Sequence, residues 1–436
     1  MEILSSNNLI IGASVIIILS FWFNGISKKT NIPSVLMLIV LGVVLQYAAK
    51  FFLDGTIDFS KTLTGALALL GTVGLIMIVL EAALELELRR DKIIPILKSM
   101  AIALIGLGLS AWIAALILYQ FIPEMTMQSA WLYATPLSIL SSAIIIPSVS
   151  SLPEVKKEFH IYESTFSDIM GIMLFYFLVG GLHSGEDSGI TGFATNLVLT
   201  LVIALIASYA IVIIFQKIKS QAKLFLLIAV LLLLYAIGKT FHLSSLIIIL
   251  IFGLVISNTN VFFPGKTAIF LDKEKISQIY HELHIITLET AFVVRTFFFV
   301  IFGLTIVISS LFSLSVALIS LLIIVSIYAI RFVVLRIFIG KDILPQLFIA
   351  PRGLITVLLF YAIPKEAEIA NFESGILLFV IIGTSLVMTW AMIKDKRKMT
   401  TIIDSIDDEV QERNEAEDEL NAKQEDSFNE LEGDSN

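Results

Sequence analysis

Residues 161–182 read IYESTFSDIMGIMLFYFLVGGL, an apolar run that carries two acidic side chains, Glu163 near its start and Asp168 about seven residues into it. About 20 helical residues cross a hydrocarbon core of ~30 Å, so the run predicts a transmembrane helix. An ionisable group inside such a helix is energetically unfavourable and usually has a function. On a helix, Ser164 and Thr165 share the face of Asp168, whereas Glu163 is rotated away by roughly 140°. Asp168 is therefore the candidate ion-binding residue, and Glu163 is expected to have a different partner.

The rest of the chain has the same apolar character. Of its 436 residues, 57% are hydrophobic and 15% are charged, and the mean hydropathy is +0.95. These values predict an all-α polytopic membrane protein. We expect about thirteen transmembrane helices, at residues 8–27, 32–52, 63–84, 98–122, 129–151, 161–182, 192–216, 223–239, 242–258, 280–308, 313–339, 345–364 and 374–393.

Charged residues in the predicted loops indicate the orientation. Twenty lysines and arginines fall in one set of alternate loops and four in the other, namely Lys50, Lys61, Lys239 and Lys365. By the positive-inside rule, the C-terminus is cytoplasmic and the N-terminus outside, in a plasma (inner) membrane. Residues 404–436 hold 14 acidic and 2 basic residues. We therefore expect residues 394–436 to be an acidic, disordered cytoplasmic tail that follows a transmembrane domain at residues 1–393.

Two of the predicted helices contain helix-breaking residues at similar depths. If the span at 192–216 is a connector, residues 8–182 and 223–393 form inverted repeats, in which spans 5 and 12 correspond. Span 5 contains Thr135-Pro136, and span 12 contains Pro351-Arg352-Gly353. Proline removes an amide donor and glycine weakens a helix, so both spans are expected to be broken near mid-membrane and to cross. Exposed backbone at that depth is tolerated where it lines a cavity or is buried in protein.

Other polar residues within the spans have specific expected roles. At 1.5 Å per residue, Arg331 lies at a depth similar to that of Glu163, and the two are expected to form a structural ion pair. The alternative is that Arg331 reaches the interface alone. Arg352 is expected to offset the negative helix ends at the break, or to hold off a second cation. Arg295 needs a partner that the sequence does not identify.

The remaining polar residues allow more than one interpretation. Small hydroxyls in a span often join helices, but those beside the first break are candidate cation ligands; they are Thr135, Ser141 and Ser142. Glu81 and Glu85 end span 3 next to Arg89 and Arg90, which suggests a solvated cytoplasmic mouth. The five histidines fall in or near predicted loops. The sequence contains no cysteine, no phosphate-binding glycine-rich loop and no histidine-carboxylate metal motif, so we expect no cofactor, no metal site and no nucleic-acid partner.

The segment Glu163-Ser164-x-x-Ser167-Asp168 resembles the Glu-Ser-x-x-Asn-Asp signature of the cation:proton antiporter superfamily, in its sodium/proton exchanger branch. The resemblance implies that Asp168 is the ion-binding aspartate and that Glu163 is a structural glutamate paired with Arg331. It also implies a homodimer with separate scaffold and mobile ion-binding bundles.

The break regions resemble two branches of the superfamily. Pro351-Arg352-Gly353-Leu354 is similar to the Gly-Leu-Arg-Gly segment of the second broken helix. The Thr-Asp-Pro motif of the first broken helix is present as Thr135-Pro136 without its acid, and Leu140-Ser141-Ser142-Ala143 is closer to the potassium-efflux branch. The transported cation is therefore expected to be sodium or potassium.

Together these features predict an electroneutral antiporter, not an enzyme, that exchanges one Na⁺ or K⁺ for one proton. Asp168 is expected to bind the cation with oxygens from Ser164, Ser167 and Thr135, and to release it on protonation. Two alternatives have the same kind of lining. They are a cation channel and a sodium-coupled symporter of an organic acid.

Overall fold

The computed structural model describes residues 6–30, 32–52, 59–86, 88, 90–149, 152–182, 190–218, 223–240, 245–264, 271–305, 313–369 and 372–395. Within these ranges the secondary structure is helical and contains no strand. The helices are α1 (Ser6–Thr30), α2 (Ser34–Phe52), α3 (Phe59–Glu85), α4 (Ile93–Phe121), α5 (Met127–Ser138), α6 (Ser142–Ser148), α7 (Glu154–Leu182), α8 (Ile190–Phe215), α9 (Lys223–Thr240), α10 (Ser245–Ser257), α11 (Thr259–Phe262), α12 (Lys273–Thr305), α13 (Leu314–Phe338), α14 (Leu354–Tyr361) and α15 (Gly375–Asp395).

Ten segments of the described chain are long and apolar enough to cross a membrane, counting the broken pair α5 and α6 as one. The polytopic all-α prediction is therefore confirmed. The expected count of thirteen is not established, because three of the predicted spans are not among these ten. Span 3 corresponds to α3, span 9 to the 13-residue α10, and span 12 to an interrupted segment that ends in α14. The tail beyond residue 395 lies outside the described residues.

The helices pack in two groups. In the first, which we call the α12 bundle, α12 packs along α2 and α3, and α10 joins α3 to α8 and α9. In the second, the Asp168 bundle, α4 packs against α5, α7 and α13, and α6 and α14 contact α7. Residues 375–388 of α15 belong with this group, because Ser320 Oγ and Tyr328 Oη of α13 donate to the Ile376 and Thr384 carbonyls. Residues 389–395 fall in a separate compact unit at the end of the chain.

Both segments expected to be broken are interrupted. The first loses helical structure at residues 139–141, between α5 and α6. The second has a 3₁₀ turn at Gln346–Phe348 and non-helical backbone until α14 begins at Leu354. The two interruptions touch, because the Ser141 N–H donates to the Pro351 carbonyl at 3.0 Å.

The position of the first break differs from the prediction. Pro136 lies inside α5, and the helix continues to Ser138. A proline removes one hydrogen bond, and α5 accommodates that loss. The helix ends where its polar groups have partners elsewhere in the fold. The Ser141 amide is bonded to Pro351, and the Leu137 carbonyl that it would otherwise meet accepts from Arg352 Nε at 2.8 Å.

Candidate functional site

Three successive amides of the first break point out of the helix axis toward other elements. Leu140 N–H donates to Ser167 Oγ at 3.0 Å, and Ser142 N–H donates to Asp168 Oδ2 at 3.3 Å. The amide between them, from Ser141, bonds to the second broken segment. The first break is therefore bonded to α7 near Asp168 and also to the second interrupted segment.

A glycine in α7 allows this close approach. Gly171 lies almost one turn after Asp168, and a Cβ at this position would collide with the side chain of Ile139 in the break. The side chain of Ile139 is 1% exposed, so it fills the space over Gly171. Close approach of backbone and side chain at this point requires glycine.

Arg352 lies where the two interrupted segments meet, next to the Leu137 carbonyl of α5. Its side chain is 2% exposed and donates through Nε to the Leu137 carbonyl and through Nη1 to the Ala350 carbonyl at 3.0 Å. Its own amide donates to Thr384 Oγ1. Leu137 lies in the last turn of α5, where carbonyls lack helical donors and carry partial negative charge. The guanidinium of Arg352 therefore lies against a carbonyl at the end of α5.

Asp168, in contrast to the arginine and the break amides, has an unbonded polar atom within the part of the chain that the structure describes. It is 2% exposed, and among the described residues no basic side chain pairs with it. Its Oδ2 accepts the long bond from Ser142, and its Oδ1 has no hydrogen-bond partner within the described chain. A buried carboxylate without a compensating positive charge is unfavourable in its ionised form. This arrangement favours binding of a proton or a small cation.

Glu163, five residues earlier on α7, has the opposite environment. Its two carboxylate oxygens accept from Arg331 Nη1 and Nη2 at 2.7 and 2.9 Å. Arg331 Nε donates to the Gln346 carbonyl, so the arginine links α7 and α13 to the second interrupted segment. His160 Nδ1 lies 3.3 Å from the second oxygen. His160 itself is fully buried, and the sequence had suggested only a loop-proximal histidine.

The predicted hydroxyl ligands differ in their present partners. Ser167 accepts from the break, and Ser142 contacts Asp168 through its amide. Ser141 lies against Gly353, where an added Cβ would collide with the serine side chain. Thr135 Oγ1 donates to Trp131 O within α5 at 2.8 Å, and Ser164 Oγ donates to His160 O within α7 at 2.7 Å. In this arrangement, Ser142 contacts Asp168 itself and Ser167 contacts the first break beside it.

Arg295 has a partner that the sequence did not identify. Its Nη2 lies 3.1 and 3.3 Å from the two carboxylate oxygens of Glu81 on α3, and its Nη1 donates to Ala143 O in α6. The expectation of a solvated mouth is wrong for Glu81, whose side chain is 16% exposed. The interaction joins residues 214 positions apart, so the local charge pattern around Arg89 and Arg90 gave no signal for it.

Comparison with known proteins identifies the chain's relatives. A solved structure of the sodium proton antiporter MjNhaP1 from Methanocaldococcus jannaschii at pH 8 has a TM-score of 0.64 and 19% sequence identity, covering 89% of this chain and 99% of that one. An electron-microscopy map of the same antiporter gives 0.60 and 19%, covering 90% and 96%. These similarities show a shared fold. No curated protein matches the sequence.

A family model gives the membership directly. The model described as "Sodium/hydrogen exchanger, transmembrane" matches residues 14–394, which include α7, both interrupted segments and nearly the whole of α15. Proteins of this family are transporters that act on Na⁺ and H⁺. The protein therefore belongs to the transmembrane sodium/hydrogen exchanger family.

Proposed function

We propose that this protein exchanges a monovalent cation for a proton, and that Asp168 binds the two alternately. The observation that carries the proposal is the position of one buried, uncompensated carboxylate at the crossing of two interrupted helices. Interrupted helices that meet near mid-membrane are typical of transporter binding sites. Membership of the exchanger family supports Na⁺ and H⁺ as the exchanged ions.

Competition for one site couples the two fluxes. A bare carboxylate is costly in a low-dielectric region, whereas a protonated or cation-bound Asp168 is neutral. The site therefore crosses the membrane barrier when occupied, by either ion but not by both. One charge exchanged for one charge gives electroneutral transport.

The proposed cation ligands belong to two elements. Ser164 and Ser167 are on α7 with the aspartate, and Thr135, Ser141 and Ser142 flank the first break. The open Oδ1 provides the carboxylate ligand. Thr135-Pro136 lacks the acid of the Thr-Asp-Pro motif, and Leu140-Ser141-Ser142-Ala143 is closer to the potassium-efflux branch, which leaves K⁺ as the alternative cation.

Two arginines have supporting roles in this proposal. Arg331 keeps Glu163 ionised and fixed, so Glu163 is a structural tie and does not carry protons. Arg352 offsets the carbonyl ends at the crossing and disfavours a second cation in the site. These assignments make Asp168 the single exchanging group.

We further infer the setting in the membrane. The loop charges favour a plasma-membrane protein with its N-terminus outside and its C-terminus in the cytoplasm. We infer a homodimer in which a transmembrane antiporter domain at residues 1–393 contains inverted repeats at about 8–182 and 223–393, joined by the span at 192–216. The acidic residues 394–436 follow it as a disordered cytoplasmic tail.

The test is proton flux in sealed proteoliposomes that contain the purified protein and a pH-sensitive dye. Adding Na⁺, K⁺ or Li⁺ in turn should release protons with at least one cation, and the identity of that cation decides the selectivity. An imposed membrane voltage should leave the rate unchanged. A voltage-dependent rate would contradict electroneutral exchange, and a single-channel current would indicate a channel.

The role of Asp168 is tested in the same vesicles. Asp168→Asn should reduce flux to the level of empty vesicles, and Asp342→Asn should retain it, because Asp342 is a 77% exposed aspartate outside the site. In the wild type, each unit decrease in pH in the competitive range should raise the apparent KM for the cation up to tenfold, at constant maximal rate. Retained exchange in Asp168→Asn would refute the proposed site.

A further inference from the structure

Pro147 leaves a carbonyl without a donor in α6. In a helix, the amide of residue 147 would donate to the carbonyl of residue 143, and proline has no amide hydrogen. The Ala143 carbonyl instead accepts from Arg295 Nη1 at 3.3 Å. A side chain of the α12 bundle thus replaces a missing backbone donor in the Asp168 bundle.

The geometry of Arg295 is set within its own bundle. Nη2 contacts both oxygens of Glu81, and the side chains are 17% and 16% exposed. Helices α3 and α12 pack against each other along much of their length. Glu81 therefore orients the guanidinium, and Nη1 is directed at α6.

This contact is one residue away from the ion site. Ala143 directly follows Ser142, whose amide donates to Asp168 Oδ2 at 3.3 Å. The Ser142 amide and the Ala143 carbonyl lie on either side of the rigid peptide plane between residues 142 and 143, so a displacement of the carbonyl is transmitted to the amide through that plane. The position of the guanidinium is thereby coupled to the environment of the carboxylate.

We propose that Arg295, oriented by Glu81, is a positioning residue that holds the start of α6 against Asp168 through the carbonyl that Pro147 leaves free. The proposal rests on Asp168 being the exchanging group. Since the hydrogen bond joins the two bundles, it stabilises the arrangement described here, and it breaks when the Asp168 bundle moves during transport.

The test is a rescue experiment in the proteoliposome assay. Arg295→Gln should raise the apparent KM for the transported cation about tenfold, the lower end of the range for lost outer-shell contacts at ion sites. Pro147→Ala restores a backbone donor for the Ala143 carbonyl. The double variant should therefore recover most of the lost affinity, an effect that a merely structural role of Arg295 would not produce.

Three further variants complete the design. Glu81→Gln should raise the apparent KM by a smaller factor, because the guanidinium remains but is no longer oriented. Arg295→Lys, which keeps a charged donor, should lie between Arg295→Gln and the wild type, and gives a second measurement if the glutamine variant does not fold. Arg336→Gln is the matched control, since that arginine donates to a carbonyl, Gly340 O, at an exposed position.

The outcomes separate this inference from the proposed function. If the wild-type protein shows no cation-dependent proton flux, the proposed function fails. If the wild type is active but Arg295→Gln keeps its apparent KM, the inference fails and the proposed function stands. A defect in Arg295→Gln that Pro147→Ala leaves unchanged would also overturn the inference, because the carbonyl would then not be the group through which Arg295 acts.

Discussion

Glu163 and Asp168 are two buried carboxylates on one helix, 1% and 2% exposed. Glu163 has a bidentate arginine and a nearby histidine, whereas Asp168 is hydrogen-bonded to Ser142 and has one open oxygen. Burial is the same, and only the partners differ. In the proposed function, the availability of an oxygen, and not the depth of an acid, distinguishes the exchange site from the structural tie.

The two environments also have different energetic consequences. Replacing one partner of a buried ion pair leaves the other charge uncompensated, which is strongly unfavourable. Neutralising a buried carboxylate that has no partner leaves no such charge. Stability should therefore depend on Glu163 and transport on Asp168, and four measurements test this separation.

The largest loss of stability is expected for Glu163→Gln. The Arg331 guanidinium would remain buried without its counter-charge, at a cost of about 3–5 kcal/mol in the free energy of unfolding. Thermal and denaturant unfolding of the detergent-solubilised protein measure the change. Glu154→Gln is the control, because that glutamate is on the same helix but 70% exposed, and its stability should be unchanged. Equal, small effects for both variants would remove the distinction.

A double-mutant cycle with Arg331→Gln comes next in size. The two side chains share two hydrogen bonds, so their coupling free energy should be about 2–3 kcal/mol. The double variant Glu163→Gln with Arg331→Gln should therefore be less destabilised than the sum of the single variants. Additive losses in the unfolding measurement would show that the contact contributes nothing as a pair.

His160→Gln should have an intermediate effect. His160 Nδ1 lies 3.3 Å from a carboxylate oxygen that Arg331 already binds, so loss of this polar contact should cost no more than about 1.5 kcal/mol, the lower end of the range for a hydrogen bond to a charged group. Unfolding should reflect this loss, whereas the apparent KM for the cation should stay constant. His284→Gln provides the comparison, since that partly buried histidine stacks on Tyr280. A change in cation affinity would assign His160 to the exchange site.

The smallest change in stability is expected for Asp168→Asn. An amide has nearly the same shape as the carboxylate and can still accept from the Ser142 amide, so the free energy of unfolding should change far less than in Glu163→Gln, where a buried charge loses its partner. Added Na⁺ or K⁺ should stabilise the wild type and leave this variant unaffected, because stabilisation by a ligand requires binding to the folded state. A variant that unfolds readily would show that Asp168 is itself structural.

Sequence reasoning succeeded where the signal was local. The helices follow from apolar runs, and the two interrupted segments follow from prolines and glycine at similar depths. The relative depths of Glu163 and Arg331 predicted that the side chains could meet, and the structure has them in contact. These inferences need only helical geometry and the cost of a charge in hydrocarbon.

The exact break and the second ion pair needed long-range information. Pro136 marked the right span, but α5 ends two residues later, where Leu137 O and Ser141 N–H find partners on the other interrupted segment. Arg295 and Glu81 lie on different helices with no spacing that connects them. The competition between a helical hydrogen bond and a tertiary one is decided by neighbours that a single helix does not contain.

The sequence by itself determined that this is a polytopic helical membrane protein with an acid inside one span, because hydrophobic length and intramembrane charge are properties of short segments. The tertiary structure decided which atoms of Glu163, Asp168 and the first break are bonded and which are open. That distinction depends on atoms contributed by α5, α6, α13 and the segment before α14, and their positions are fixed only when the helices pack together.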